Sequence, residues 1–250
     1  MISDEYQKAQ RIAQDIAATI DPPLFYQDNH DQWVLSQCKF EKDPTVQICL
    51  SILKDNIAYG HGLSHATKVA VDAGAIILVE GLGDAGEFGV RRLVFLAHLA
   101  GALHDIARSS PDHAHEGAKK AGIILQRFEL SPGEIDAVTQ AIANHEAFQP
   151  FASLEDRSSQ LLSDALYDAD KFRWGPDNFT EMIWDILATR QVPLAKLMER
   201  FLSGLKGIEK IRDTFRTATG KTYGPDFIDR GIQIGIKLYK QLGGAGTYQR

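Results

Sequence analysis

Apolar positions recur along this chain at helical rather than strand spacing. Residues 6–20 place Ile12, Ile16 and Ile20 four apart, and Asp21-Pro22-Pro23 ends the run. Residues 28–43 mix polar, charged and aromatic side chains without a period, which predicts an irregular segment. A second helix is expected over 44–57, with Val46, Ile48, Leu50, Ile52 and Leu53 apolar. Gly60 and Gly62 then break the pattern, and Ser64 is placed to cap a helix over 65–80 with Val69, Ala73, Ile76 and Ile77 inward. After a turn at 81–86, the stretch from Val94 to Leu103 is apolar but for His98 and Gly101. A buried helix over 91–105 is therefore expected, ending on His104 and Asp105. A loop over 106–113 leads to a helix at 114–128. Ser131-Pro132-Gly133-Glu134 has a capping Ser, Pro at the first position and Glu three residues after the Ser, so a helix starts there and runs to His145. Beyond a loop at 149–157, helices are expected over 160–171, 178–188, 194–205 and 208–217, with a looser one over 225–242. Strand-type alternation is absent, so the class predicted is all-α, a single domain over 1–250 with a C-terminal helical appendage from 190.

Charge and cysteine content narrow the functions. Asp and Glu number 33 against 27 Lys and Arg, which argues against a surface built to coat a nucleic acid polymer. Cys38 and Cys49 match no zinc spacing and are too few for a disulfide scaffold, so both read as free thiols in a reducing compartment. The polar, acidic start MISDEYQKAQ does not resemble a signal peptide, and no apolar run approaches the ~20 residues needed to span a bilayer. A cytoplasmic protein with no membrane role is expected.

The chemistry gathers at helix ends. A buried carboxylate costs several kcal/mol unless a partner or a metal compensates it. His104 and Asp105 end the most apolar helix, and His65 and Asp170 lie near the ends of two others. Adjacent helical side chains diverge by about 100°, so His104 and Asp105 can both reach an ion held between their directions. Such a His/carboxylate set suits a divalent ion (Mn2+, Fe2+, Mg2+, Co2+ or Zn2+), and the lack of Cys ligands argues against a closed structural zinc site.

The ordered set HGLSHATKVA, ALHDIAR and DADKF resembles the HD-domain superfamily of metal-dependent phosphohydrolases over roughly residues 59–172. The resemblance implies an all-α HD core there, with one or two metal ions per chain. By motif position it gives His65, His104, Asp105 and Asp170 as ligands. Asp168, in the same motif, reads as a solvated or supporting carboxylate. His115 and His145 fall where two-metal members carry extra histidines, and each is a ligand or substrate-binding candidate. His61 is expected on the substrate side, His98 in the core, and His30 and His113 in loops. Lys68, Arg108, Lys119 and Lys171 are candidates for a cationic clamp on a phosphoryl group, with Asp112 or Glu116 as acid or base. Arg108 stands where alarmone hydrolases and bacterial nucleotidases resemble each other in carrying Glu. HDIAR and DADKF are closer to small HD hydrolases similar to nucleoside triphosphate pyrophosphohydrolases.

The expected activity is hydrolysis of a small phosphorylated metabolite, most simply a nucleotide, by metal-activated water with Asp105, Lys68 and Arg108 at the reacting group. His61, Lys119 and Lys171 would bind substrate. The alternatives are a di-iron oxygenase of the inositol-oxygenase type and a non-catalytic ligand-sensing HD module. The C-terminal helices leave a homodimer open.

Overall fold

The computed structural model describes residues 4–54, 62–81 and 86–249. These form helices α1 (Asp4–Ala17), α2 (Leu24–Asp28), α3 (His30–Lys42), α4 (Pro44–Lys54), α5 (Leu63–Glu80), α6 (Gly86–Leu103), α7 (His113–Leu125), α8 (Pro132–Ala143), α9 (Arg157–Phe172), α10 (Ile183–Arg190), α11 (Leu194–Glu209) and α12 (Ala218–Gln241). A π-helical turn, Asn178–Met182, leads into α10, and a 3-10 turn, Lys210–Asp213, follows α11. The described residues contain no strand, so the class is all-α. No helix among them is long and apolar enough to cross a membrane.

α5 and α6 form the centre. Both are apolar on nearly every side, which a helix tolerates only when others wrap it. They run antiparallel: His65 faces His104, Gly101 faces Ala70, and Gly74 faces His98. A Cβ on Gly101 would stand 2.4 Å from the Ala70 Cα, so the two backbones approach as closely as glycine allows. α3, α4, α8 and α9 surround the pair, and α7 packs on α8. α12 lies against α1, α2 and α9, where Phe172 stacks on Phe227 at 4.0 Å. The residues beyond 190 thus close the core that holds α9.

Four local expectations change. Residues 28–43 are helical in α3, whose inward stripe Trp33, Ser36 and Phe40 is half polar and so hides its period. Its polar members are satisfied from α5: Trp33 Nε1 donates to Asp72 at 3.1 Å, and Ser36 Oγ to the Val71 carbonyl at 2.7 Å. Gly62, not Ser64, is the N-cap of α5, and Ser64 Oγ donates instead to Glu181 at 3.2 Å. No separate helix forms over 208–217: α11 ends at Glu209 and only the short 3-10 turn follows, because Arg216 and Thr217 turn their backbone N–H groups to Asp168. α12 then starts at Ala218, capped by Thr217, and carries Pro225 inside it rather than at its start.

Candidate metal centre

Five helix ends converge on one buried point. His65 comes from the first turn of α5. His104 and Asp105 occupy the tight turn after α6, held by Ile106 N–H on the Leu103 carbonyl and Arg108 N–H on the Asp105 carbonyl, both at 3.0 Å. His113 opens α7, His145 follows α8, and Asp170 sits in the last turn of α9. All six are buried.

Their donor atoms form two groups joined by one carboxylate. In the first, His65 Nε2 lies 3.1 Å from His104 Nε2 and 3.3 Å from Asp170 Oδ1. Asp105 Oδ2 approaches the same atoms, at 3.5 Å from His104 and 3.8 Å from His65. An ion with bonds near 2.1 Å sets its ligands about 3.0 to 3.4 Å apart, octahedral to tetrahedral, so these separations suit a shared cation. The second group is Asp105, His113 and His145, with donor atoms within 4.8 Å of one another. Asp105 Oδ1 faces it, 3.7 Å from His145 Nε2. The two oxygens of Asp105 thus address different groups, the arrangement a bridging carboxylate requires.

Backbone carbonyls aim the rings. His104 Nδ1–H donates to the Gly101 carbonyl at 2.8 Å, and His145 Nδ1–H to that of Ile142 at 2.6 Å. Both Nε2 lone pairs are thereby left for the centre. Burial lowers His104 to about 3, which keeps its imidazole neutral and able to ligate. Burial would raise the Asp170 carboxyl, but the Lys171 charge first, then the hydrogen bond with His65, hold it well below the usual range. With buried imidazoles, carboxylates and no thiolate, the donor set fits a divalent ion.

The cations differ in their use. Lys171 Nζ bonds Asp170 Oδ2 and, at 3.0 Å, the His145 carbonyl, so it braces α9 against the end of α8. The Arg108 guanidinium donates to His113 Nε2 at 2.6 Å and lies 3.9 Å from Asp105 Oδ1. An ion in the second group would displace that bond to His113. Burial, then Arg108, lowers the His113 pKa.

A cavity of about 320 Å³ opens over the second group. Its floor is Asp105, His113, His145 and Asp170, flanked by Arg108 and Lys171, and its outer wall includes Phe148, Trp174 and Met182. That size suits a small-molecule ligand.

Of the residues singled out in the sequence, His65, His104, Asp105, Asp170, His145, Arg108 and Lys171 lie together. His115 does not join them: its side chain is 64% exposed, and Nδ1 bonds Asp112 at 2.8 Å. His113, expected in a loop, stands inside instead. The signal was present, since the inward residues Gly117, Ala121 and Leu125 continue back at four-residue steps to 113 and not to 115. Lys119 is also outside, paired with Glu116 at 2.8 Å on the exposed face of α7. Lys68 turns to Asp177 and Glu181 and lines a different cavity of about 380 Å³, beyond α5. That cavity has a floor of Asp72 and Arg173, with Tyr26 bonded to both. Asp168 is neither solvated nor at the centre. It is fully buried and accepts from Arg216 N–H at 2.8 Å, Thr217 N–H at 2.8 Å and Thr217 Oγ at 2.7 Å. His98 is a core residue bonded to Ser36 Oγ at 3.0 Å, and His30 lies exposed at the start of α3. His61 falls outside the described residues.

No protein-family model, curated protein or solved structure matches the chain, so any functional reading rests on the site and its motifs.

Proposed function

We infer that the protein is a divalent-metal-dependent phosphohydrolase acting on a small phosphorylated metabolite. The observation that carries this reading is Asp105, set with one oxygen towards each donor group beneath a small-molecule cavity flanked by Arg108 and Lys171. The resemblance of the HGLSHATKVA, ALHDIAR and DADKF motifs to HD-domain phosphohydrolases supports it. His65, His104, Asp105 and Asp170 would hold the first ion, and Asp105, His113 and His145 a second. Bound ions would supply Lewis acidity and lower the pKa of water towards neutrality. Arg108 and Lys171 bind phosphoryl oxygens and stabilise charge that grows there. Glu146 Oε2 lies 3.9 Å from His113 Nδ1, which places a carboxylate beside that ring.

Elemental analysis followed by a phosphate- and pyrophosphate-release screen with Mn2+, Mg2+ and Co2+ tests the reading. At least one ion per chain and phosphate release that Asp105→Ala abolishes are expected. A chain that binds no divalent ion, or an Asp105→Ala variant with full activity, overturns it. The second donor group also favours a di-iron oxygenase as an alternative. Stoichiometric iron, oxygen uptake and no phosphate release would select that reading.

A further inference from the structure

The outer wall of the metal-site cavity has two backbone irregularities that the metal groups do not need. Phe148 holds φ at +63°, a region that bulky L-residues rarely enter and that costs about 1 kcal/mol or more. Its ring is nevertheless 63% exposed, so core packing does not offset that cost. The segment is no loose tip. Asn144 bonds Ala152 in both directions, at 3.0 and 3.1 Å, and Lys171 holds the His145 carbonyl. Only Glu146 and Ala147 separate His145 from Phe148, and all four residues line the cavity.

The second irregularity lies opposite. Asn178, Met182 and Ile186 line the cavity at four-residue steps. In an α-helix such a row drifts by about 40° per step. The π turn Asn178–Met182, closed by Ile183 N–H on the Asn178 carbonyl, has about 4.4 residues per turn and drifts the other way. The row is therefore kept on one face. Trp174, half-buried, extends the wall towards the floor. Asn178 adds a carboxamide, which offers both a donor and an acceptor.

We propose that Phe148, Trp174 and Asn178 determine specificity by binding a planar heteroaromatic ring carried by the substrate. The apolar faces of Phe148, Trp174 and Met182 take the faces of the ring, and Asn178 reads its hydrogen-bonding edge. This rests on the proposed phosphoryl site at the cavity floor.

The test compares wild type, Phe148→Gly, Phe148→Tyr and Asn178→Ala, full length and Mn2+-loaded. Adenosine monophosphate is set against glycerol phosphate. Wild type is expected to prefer the ring substrate in kcat/KM. Phe148→Gly should narrow that preference about tenfold, mainly through KM, without lowering Tm, because glycine accepts positive φ freely. Phe148→Tyr should restore it. The inference is overturned if the preference is absent or if Phe148→Gly leaves it unchanged. Should no phosphoester turn over, the phosphohydrolase reading fails alone and binding decides. Saturable quenching by adenosine monophosphate that Trp174→Phe removes and Phe148→Gly weakens about tenfold supports the ring site, and no such quenching overturns it.

Discussion

At the scale of single residues, position along a helix decides which histidine joins the buried cluster. His113 and His115 differ by two residues, about 200° around α7, and only His113 reaches the centre. His113→Ala is therefore expected to lose the second equivalent of Mn2+ in a calorimetric titration, whereas His115→Ala should titrate like wild type. His98 illustrates a histidine used for packing. Ser36 gives its only proton to the Val71 carbonyl, so the His98 ring must donate to Ser36 from Nε2. Burial, aided by Lys39, pushes its pKa from 6.5 to about 3. Between those values the unfolded chain binds a proton that the folded chain excludes. The stability contribution is complete above pH 6.5 and is lost as pH falls towards 3, by up to about 1.4 kcal/mol per pH unit. Urea unfolding in the presence of EDTA should show a shallower loss of stability with acid for His98→Gln than for wild type across that window.

At the scale of elements, the centre depends on how closely α5 and α6 cross. Gly101 both admits the Ala70 backbone and offers the carbonyl that aims His104. Gly101→Ala is expected to cost about 2 kcal/mol or more by overpacking. It should also reduce bound metal measured on the folded protein, since separating the helices moves His65 from His104. The elements that sequence made legible share a physical cause. α6 announced itself by an apolar run too long to face water on any side, and α8 by the Ser131–Glu134 capping box, which is present in both directions. The four residues of the first group were legible because motif order marked them. α3 was not, because its buried stripe is satisfied by hydrogen bonds to α5 rather than by apolar packing alone. The π turn before α10 was equally hidden, since a phase change of one residue leaves little trace in a short apolar pattern.

At the scale of the molecule, the chain beyond 190 is part of the wall that fixes α9, although its sequence reads as an appendage. Thr217 is the joint: its hydroxyl donates to Asp168 and accepts the Gly220 N–H that starts α12. Thr217→Val removes a buried donor and a helix cap together. A loss of about 2 kcal/mol is expected from denaturant titration. Weaker metal retention should accompany it, because α9 carries Asp170 and Lys171. The same helix end also divides the two cavities. Trp174 and Asn178 face the metal side, while Arg173, Pro176 and Asp177 line the space beyond α5.

The span between Asp168 and its donors sets an order of events during synthesis. The carboxylate is made 48 and 49 residues before Arg216 and Thr217. At about 5–20 residues per second, a ribosome needs roughly 2 to 10 s to supply them. Until then Asp168 lacks all three of those donors, and seating the inner face of α9 would bury its carboxyl without them. The buried His/Asp cluster is therefore completed late, after its six residues have all been translated. In that interval α9 has yet to receive α12, the helix that packs on it in the finished fold.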